Sequence, residues 1–201
     1  MKSMRSTFRP AFLLAAALPA LLAGAAPQPG PAGRVSLNTN DNRALRISLK
    51  TAEQAIDERI QQLMARAPFA LLGTTRGVYL SGYGTVFTLE VNLVPVAGLS
   101  PFRPAYSPQE IRNLNRQKRE KLSALKTGLR QLLMEEAPAL PQVPPGEKVA
   151  IVVTLFNYNW EDTSGLPSQI VMQAARQTLL DLLARRAGAE AQERAIEVTE
   201  F

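Results

Sequence analysis

Two residue types that carry much of enzyme chemistry are missing, since the 201 residues include no histidine and no cysteine. Zinc sites built on His or Cys therefore cannot form, and nucleophilic mechanisms of the Ser-His-Asp or Cys-His type are excluded. The absence of cysteine also rules out disulfide bonds and a lipid-modified N-terminal cysteine, so the fold must depend on its core. An enzyme of this composition would have to use carboxylates, Lys, Arg, Tyr, Ser or an oxygen-ligated metal.

Long apolar runs are scarce as well. The clearest covers residues 11–22, which is shorter than the ~20 residues that a membrane span requires. Three cations precede it and an A-x-A pattern of small residues follows at residues 23–25, which is typical of a secretory signal peptide. We therefore expect cleavage near Ala25, a periplasmic or extracellular location, and no transmembrane segment in the mature chain.

The charge of the chain is only mildly basic once this leader is removed. The leader holds three cations and no acid, so its loss lowers the formal net charge from +6 to +3. Such a small excess does not indicate a nucleic-acid partner. Residues 26–42 begin with a Pro- and Gly-rich stretch that predicts a flexible linker, and residues 43–201 have the length of one domain.

The first half of that domain shows strand, helix and hairpin patterns in turn. Leu45, Ile47 and Leu49 alternate with polar residues, which predicts a short strand. Thr51 then resembles a helix N-cap, with Gln54 completing a capping box. Farther on, glycines separate two segments rich in β-branched and aromatic residues, which predicts a hairpin with one strand ending near residue 80 and a second over residues 85–93.

The second half begins with the clearest local signal in the chain. Ser107 is an N-cap, Pro108 occupies the first helical position and Glu110 completes a capping box, so a long helix is predicted near residues 108–137. Residues 149–156 form an apolar run that predicts a central strand covered on both faces. Residues 169–173 fit either a strand or the start of a helix.

Two elements are predicted after that point. A helix over residues 175–187 would end with Gly188 as its C-cap, and a strand would close the chain. Together the patterns predict an α+β fold, with two or three helices packed on one face of a mainly antiparallel sheet of about four to five strands. A small α/β fold is the alternative.

The segment after the central strand carries the first candidate site. Strand alternation would place Phe156, Tyr158 and Trp160 on one face, as a platform for a sugar ring or a peptide, with Glu161 and Asp162 beside it. The simpler interpretation is that the aromatic rings cover a helix and that the acidic residues form a polar turn. We prefer the simpler interpretation.

The same acidic residues support an alternative function. A carboxylate-based hydrolase acting on envelope sugars would use Glu161 and Asp162 as acid and base. Glu90 ranks third among the candidate carboxylates. Such enzymes need two carboxyl groups about 5–10 Å apart across a cleft. Adjacent residues at the end of a strand usually diverge, which weakens this pair.

The long helix carries the second candidate site, a ridge of cations that we call the basic ridge. Its members lie in residues 112–130 against a lone Glu120: Arg112, Arg116, Lys118, Arg119, Lys121, Lys126 and Arg130. Such a ridge suits an acidic protein, an anionic lipid or an anionic polymer, although a solvated helix face is the commoner explanation. Cations crowd the N-terminal half of this helix, where the helix dipole favours acids. Arg112, Arg116, Arg119 and Lys126 are the predicted contact residues.

From these patterns we expect an exported α+β binding module without a cofactor, not an enzyme. No set of residues has the specificity of a catalytic motif, and no metal site is indicated. Tyr158 and Trp160 are further candidates for binding.

Overall fold

A computed structural model describes residues 39–66, 69–102 and 104–201. The predicted signal peptide and most of the predicted linker lie outside the described residues. The elements, in chain order, are α1 (Thr39–Arg66), β1 (Ala70–Leu80), β2 (Gly84–Asn92), α2 (Pro108–Glu136), a 3₁₀ turn (Ala137–Ala139), β3 (Lys148–Leu155), β4 (Gln169–Ala175), α3 (Arg176–Ala184), α4 (Ala189–Ala195) and β5 (Glu197–Glu200).

The five strands form one sheet in the order β1-β2-β3-β4-β5. Three neighbouring pairs are antiparallel, whereas β2 and β3 run parallel. A parallel pair needs a long crossover, and α2 lies within the connection between these two strands. The α+β prediction is confirmed, with a mixed sheet and β3 at its centre.

The core lies on one face of this sheet. Phe87, Ile151 and Met172 are in register across β2, β3 and β4, and all three are buried. On the opposite face of β3, Ala150 is buried but Thr154 is exposed. The prediction that the central strand is covered on both faces therefore holds at Ala150 and is wrong toward the end of the strand, where the second face is open to solvent.

Helix α1 corrects the sequence analysis at three places. It begins at Thr39, within the predicted linker, and it includes the predicted strand and the predicted N-cap Thr51. The alternation of Leu45, Ile47 and Leu49 is too short to distinguish the two-residue period of a strand from the 3.6-residue period of a helix. Buried Leu45 is followed at helical spacing by the buried Ala52 and Ile56, whereas Ile47 is 60% exposed, so the helical period prevails.

Two carboxylates of α1 bind the outer edge of β1. The backbone N–H of Thr75 donates to Asp57 Oδ1 at 3.0 Å, and that of Gly77 donates to Glu53 Oε1 at 2.7 Å. Residues four apart in a helix are separated by about 6 Å along its axis, and residues two apart in a strand are separated by about 6.8 Å. Because these spacings nearly match, two carboxylates one helical turn apart can each accept a hydrogen bond from every second backbone amide of the strand. This part of the edge is thereby closed to pairing with another strand.

Helix α2 begins as predicted. Ser107 Oγ accepts from the N–H of Glu110, and the Glu110 side chain accepts from the N–H of Ser107. Its leucine stripe is buried, and at Gly128 the helix meets α1 so closely that a Cβ atom would lie 2.5 Å from Leu63 Cδ1. The first half of α2 is thus fixed by its cap and the second half by packing.

The C-terminal part contains one unpredicted element. Residues 169–173 belong to β4, which resolves the choice between strand and helix. Helix α3 ends at Ala184 with Arg185 as its C-cap, and Gly188 is the N-cap of the short helix α4. The predicted C-cap at Gly188 is therefore wrong; Arg186 adopts the left-handed conformation instead, with φ 48°.

Candidate binding surface

The segment after β3, residues 156–168, forms a closed loop that we call the 156–168 loop. Leu155 N–H donates to Ser168 O at 2.9 Å and closes its base, and Phe156 N–H donates to Val91 O at 2.9 Å. Inside the loop, Leu166 N–H donates to Thr163 O at 2.9 Å. Strand β3 ends before the aromatic residues, so their predicted strand alternation does not apply.

A buried ion pair fastens this loop to α2. Lys118 Nζ pairs with Glu161 Oε2, and it also donates to Asn157 Oδ1 at 2.7 Å and to Phe156 O at 3.3 Å. The Lys118 and Glu161 side chains are each 1% exposed. The other oxygen, Glu161 Oε1, accepts from Tyr158 N–H at 3.3 Å. The two charges therefore compensate each other inside a hydrogen-bonded site, as buried charges require.

Asn115, one turn before Lys118, holds the second part of the loop. Its Nδ2 donates to Asp162 O at 2.9 Å and to Ser164 O at 3.1 Å. Asp162 itself accepts from Ser164 N–H at 2.9 Å, which is the geometry of an Asx turn. Hydrogen bonds from the Ser164 side chain and backbone lower the pKa of Asp162. Asp162 thus shapes the turn.

This geometry bears on the hydrolase alternative. The Glu161 carboxylate is enclosed by Lys118 and the loop backbone, out of reach of a sugar, and Asp162 is engaged in its turn. Glu90 lies exposed on the open face of the sheet opposite Thr154, whereas Glu161 is held by α2. Glu161 is thus unavailable as one of the two free carboxylates that such a mechanism requires. Among the described residues there is also no group of three or more acidic side chains that could hold a metal ion.

The aromatic residues form a continuous cluster, which we call the aromatic cluster. Tyr106 stacks on Trp160 with ring centroids 4.3 Å apart, Tyr158 stacks on Trp160 at 5.4 Å, and Phe156 meets Tyr158 edge-on at 5.0 Å. All four residues are half-buried, and Trp160 packs against the core. The ring faces therefore contact one another, so the rings brace a loop more than they offer a flat platform.

Tyr106 connects this cluster to a second loop, a contact that the sequence did not reveal. It belongs to the connection between β2 and α2, residues 93–107, which we call the 93–107 loop. Its hydroxyl donates to Ala97 O in the same loop, and its ring reaches Trp160 in the 156–168 loop. The aromatic cluster thus joins the two loops that flank the start of α2.

The structure gives the members of the basic ridge different surroundings. Arg112, Arg116 and Arg119 are exposed, and we call them the arginine face. Lys126 is half-buried and pairs with Glu200 of β5. Lys118 points into the interior, as described above. The ridge is thus not one continuous charged surface.

The arginine face has only uncharged partners in the described part of the chain. Arg112 Nη2 donates to Gln109 Oε1 at 2.8 Å, and Arg116 Nη2 donates to Asn113 Oδ1 at 3.1 Å. Arg119 lies against the 156–168 loop, where a Cβ atom at Gly165 would be 3.8 Å from its Cζ. No ion pair to these three arginines is found among the described residues. Their charges are therefore available to an external anion.

Two cavities in the described part of the chain lie away from these arginines. A cavity of about 260 Å³ lies between the 93–107 loop and α2, beside Tyr106 and Leu114. A larger one of about 910 Å³ follows the N-terminal half of α1, and cations such as Arg43 and Lys50 line it with Glu53. The arginine face is an open surface and does not line either cavity.

None of the helices in residues 39–66, 69–102 and 104–201 combines the length and the apolar character needed to cross a membrane. The comparisons with known proteins found no match to a family model, to a curated protein or to a solved structure.

Proposed function

We propose that this chain is an exported binding module that contacts an anionic component of the cell envelope through the arginine face. The observation that carries the proposal is the exposure of three arginines on one side of α2, none of them paired with an acid in the described part of the chain. Arginine suits this role because its planar guanidinium binds carboxylate or phosphate through two hydrogen bonds.

The contacts that hold α2 in place strengthen the proposal. Helix α2 has a capping box at its start, and Asn115 and Lys118 fasten the 156–168 loop beside it. The guanidinium groups are therefore carried by a fixed helix, which reduces the ordering cost of binding. The hydrolase alternative is less well supported, because Glu161 is enclosed by its pairing with Lys118.

The proposal is tested by pull-down of the purified protein from envelope extract at low and high salt, with the triple variant Arg112→Gln, Arg116→Gln, Arg119→Gln alongside. Exposed charges are screened beyond about 8 Å at physiological ionic strength, so capture by the unaltered protein should fall steeply as salt rises. The triple variant should capture little at either salt level.

A matched control removes the same number of exposed cations from α1. Arg43, Arg46 and Lys50 are exposed, and their joint replacement by Gln lowers the net charge equally. This control should retain the partners of the unaltered protein. If both triple variants behave alike, binding reflects net charge, and the arginine face has no specific function.

A further inference from the structure

The face of the sheet opposite the core, which we call the open face, carries apolar side chains. It includes one valine from each of four strands: Val78, Val86, Val152 and Val171. Their neighbours along each strand face the core, and none of the four valines packs against it. The buried apolar residues of α1, α2 and α3 all belong to the core on the other side. Val78 is 48% exposed and the other three are half-buried, so the sheet has a second, partly apolar side.

The strand register joins these valines into one continuous surface. One row crosses all five strands in direct register: Arg76, Thr88, Val152, Val171 and Thr199. The neighbouring row crosses them as well: Val78, Val86, Ala150, Gln173 and Glu197. Tyr83 bounds this surface at the hairpin end, where its hydroxyl donates to Gln173 Oε1 at 2.5 Å. The pairing of the strands thus places the valines, and the residues at both ends of their rows, on one face.

The two edges of the open face carry opposite charges. Arg76 on β1 is exposed and has no ion pair within the described residues. Glu197 on β5 has a side chain that is 61% exposed, and its one ion pair in the described part of the chain reaches Lys148 Nζ at 3.5 Å. A cation at one edge, an acid at the other and valines between them form a surface that matches a copy of itself.

A two-fold axis that runs parallel to the strands above β3 produces this match. It places β1 of one copy over β5 of the other and β3 over β3, so Val152 lies against Val152 of the second copy. Facing sheets lie about 10 Å apart and rows about 6.8 Å apart, so the Cα atoms of Arg76 and of Glu197 in the second copy are about 12 Å apart. Two long side chains span that distance, and the axis forms the pair twice.

The open face is large enough for such an interface. Strands β2 and β3 pair over eight positions, four of which face each side. Four rows about 6.8 Å apart on five strands about 4.8 Å apart give roughly 600 Å² for each copy, outer side chains included. Two copies would bury roughly 1,200 Å², the lower limit for a specific interface. We propose that two copies of this chain associate through their open faces into a sandwich, with the strands of the two sheets aligned within about 30°.

This inference is independent of the proposed function. The leucine stripe of α2 is buried in the core, so α2 lies on the other side of the sheet and the dimer leaves both arginine faces outside the interface. The β1 edge, which Glu53 and Asp57 close, is outside it as well. The triple variant of the arginine face should therefore dimerise like the unaltered protein, and the two proposals can fail separately.

The oligomeric state is measured by sedimentation equilibrium of the purified protein from micromolar to millimolar concentration. The unaltered protein should form dimers within that range. Val152→Lys sets two like charges against each other at the axis and should weaken dimerisation by about 100-fold or more. The matched control Ile47→Lys adds the same charge at an apolar position of α1 that is 60% exposed and should dimerise normally. A monomer at every concentration, or a dimer that tolerates Val152→Lys, would overturn the proposal.

Charge reversal tests the orientation of the two copies without altering the valines. Arg76→Glu turns both contacts with Glu197 into repulsion and should raise the Kd of the dimer about tenfold at low salt. The double variant Arg76→Glu, Glu197→Arg restores opposite charges across the interface and should dimerise more tightly than Arg76→Glu alone. A double variant no tighter than the single one would contradict an axis parallel to the strands.

Chemical cross-linking locates the contact, because the chain contains no cysteine of its own. A bis-maleimide reagent with a spacer of about 8 Å fits between sheets that lie about 10 Å apart. It should link the variant Val152→Cys into a covalent dimer and leave the control Ile47→Cys largely monomeric. Equal cross-linking of the two variants would indicate random collision and overturn the proposal.

Discussion

At the scale of single residues, the buried Lys118 determines how the 156–168 loop sits on α2. It lies four residues before Leu122 on the leucine stripe, so helical periodicity places it toward the core even though its charge suggested the exposed ridge. Its partner Glu161 is 43 residues away in sequence. Helical periodicity therefore carries a signal for the position of Lys118, but the pairing depends on a tertiary contact that no local pattern contains.

Loss of either partner should destabilise the protein strongly. Lys118→Met leaves the Glu161 carboxylate buried without a counter-charge, and Glu161→Gln does the same to the Lys118 ammonium. Removal of one member of a buried pair costs about 3–5 kcal/mol, and we expect each single variant to lose free energy of unfolding in that range, measured by urea denaturation.

The double variant Lys118→Met, Glu161→Gln should lose less than the sum of the two single variants, since no buried charge remains. Additive losses would show that the two side chains stabilise the fold independently. The exposed variant Arg116→Met on the same helix is the matched control and should stay within about 0.5 kcal/mol of the unaltered protein.

At the scale of elements, local signals succeeded where they were complete. The start of α2 was predicted correctly because its capping box lies within four consecutive residues. The start of α1 was not, because the alternation of Leu45, Ile47 and Leu49 is compatible with a strand until the helical stripe is followed to Ile56. The separate helix α4 was missed because glycine is commoner at the end of a helix than at its N-cap, so Gly188 predicted the end of the preceding helix.

The α1 carboxylates on the β1 edge lead to a prediction at this scale. The variant Glu53→Ala, Asp57→Ala frees the N–H groups of Gly77 and Thr75, and an edge with free amides pairs readily with another chain. We expect concentration-dependent oligomers of this variant by size-exclusion chromatography with light scattering.

The control for that experiment is Gln54→Ala, Glu58→Ala, which alters two exposed positions of the same helix. It should elute like the unaltered protein. Oligomers from the control alone, or from both variants equally, would contradict a specific role of Glu53 and Asp57 at the edge.

At the scale of the whole molecule, the α+β class followed from the order of helical and strand patterns along the chain. The parallel pairing of β2 and β3 did not, because strand direction depends on how the α2 crossover returns to the sheet. The arginine face was predicted by residue type and helical spacing. Lys126 is not part of the arginine face because it pairs with Glu200. The sequence could not predict this pair, since only the fold places Glu200 on the edge strand β5 near Lys126.

The predicted location also belongs to this scale. We expect the chain to be exported through the general secretory route and cleaved near Ala25, because a charged start, a short apolar stretch and an A-x-A pattern follow one another. N-terminal sequencing of the protein recovered from the periplasm or the medium should find Ala26 first. A recovered chain that still begins with Met1 would contradict this prediction.

Helix α2 both joins the parallel strands and carries the arginine face, so occupancy of that face and the folding equilibrium are thermodynamically linked. A ligand that recognises the folded arrangement, and not the unfolded chain, raises the free energy of unfolding by about 2.7 kcal/mol at a concentration one hundred times its Kd. Candidate anions can therefore be ranked by how far each raises the melting temperature, before any binding assay exists. An anion that acts through Arg112, Arg116 and Arg119 should lose its effect in the triple variant and keep it in the α1 control.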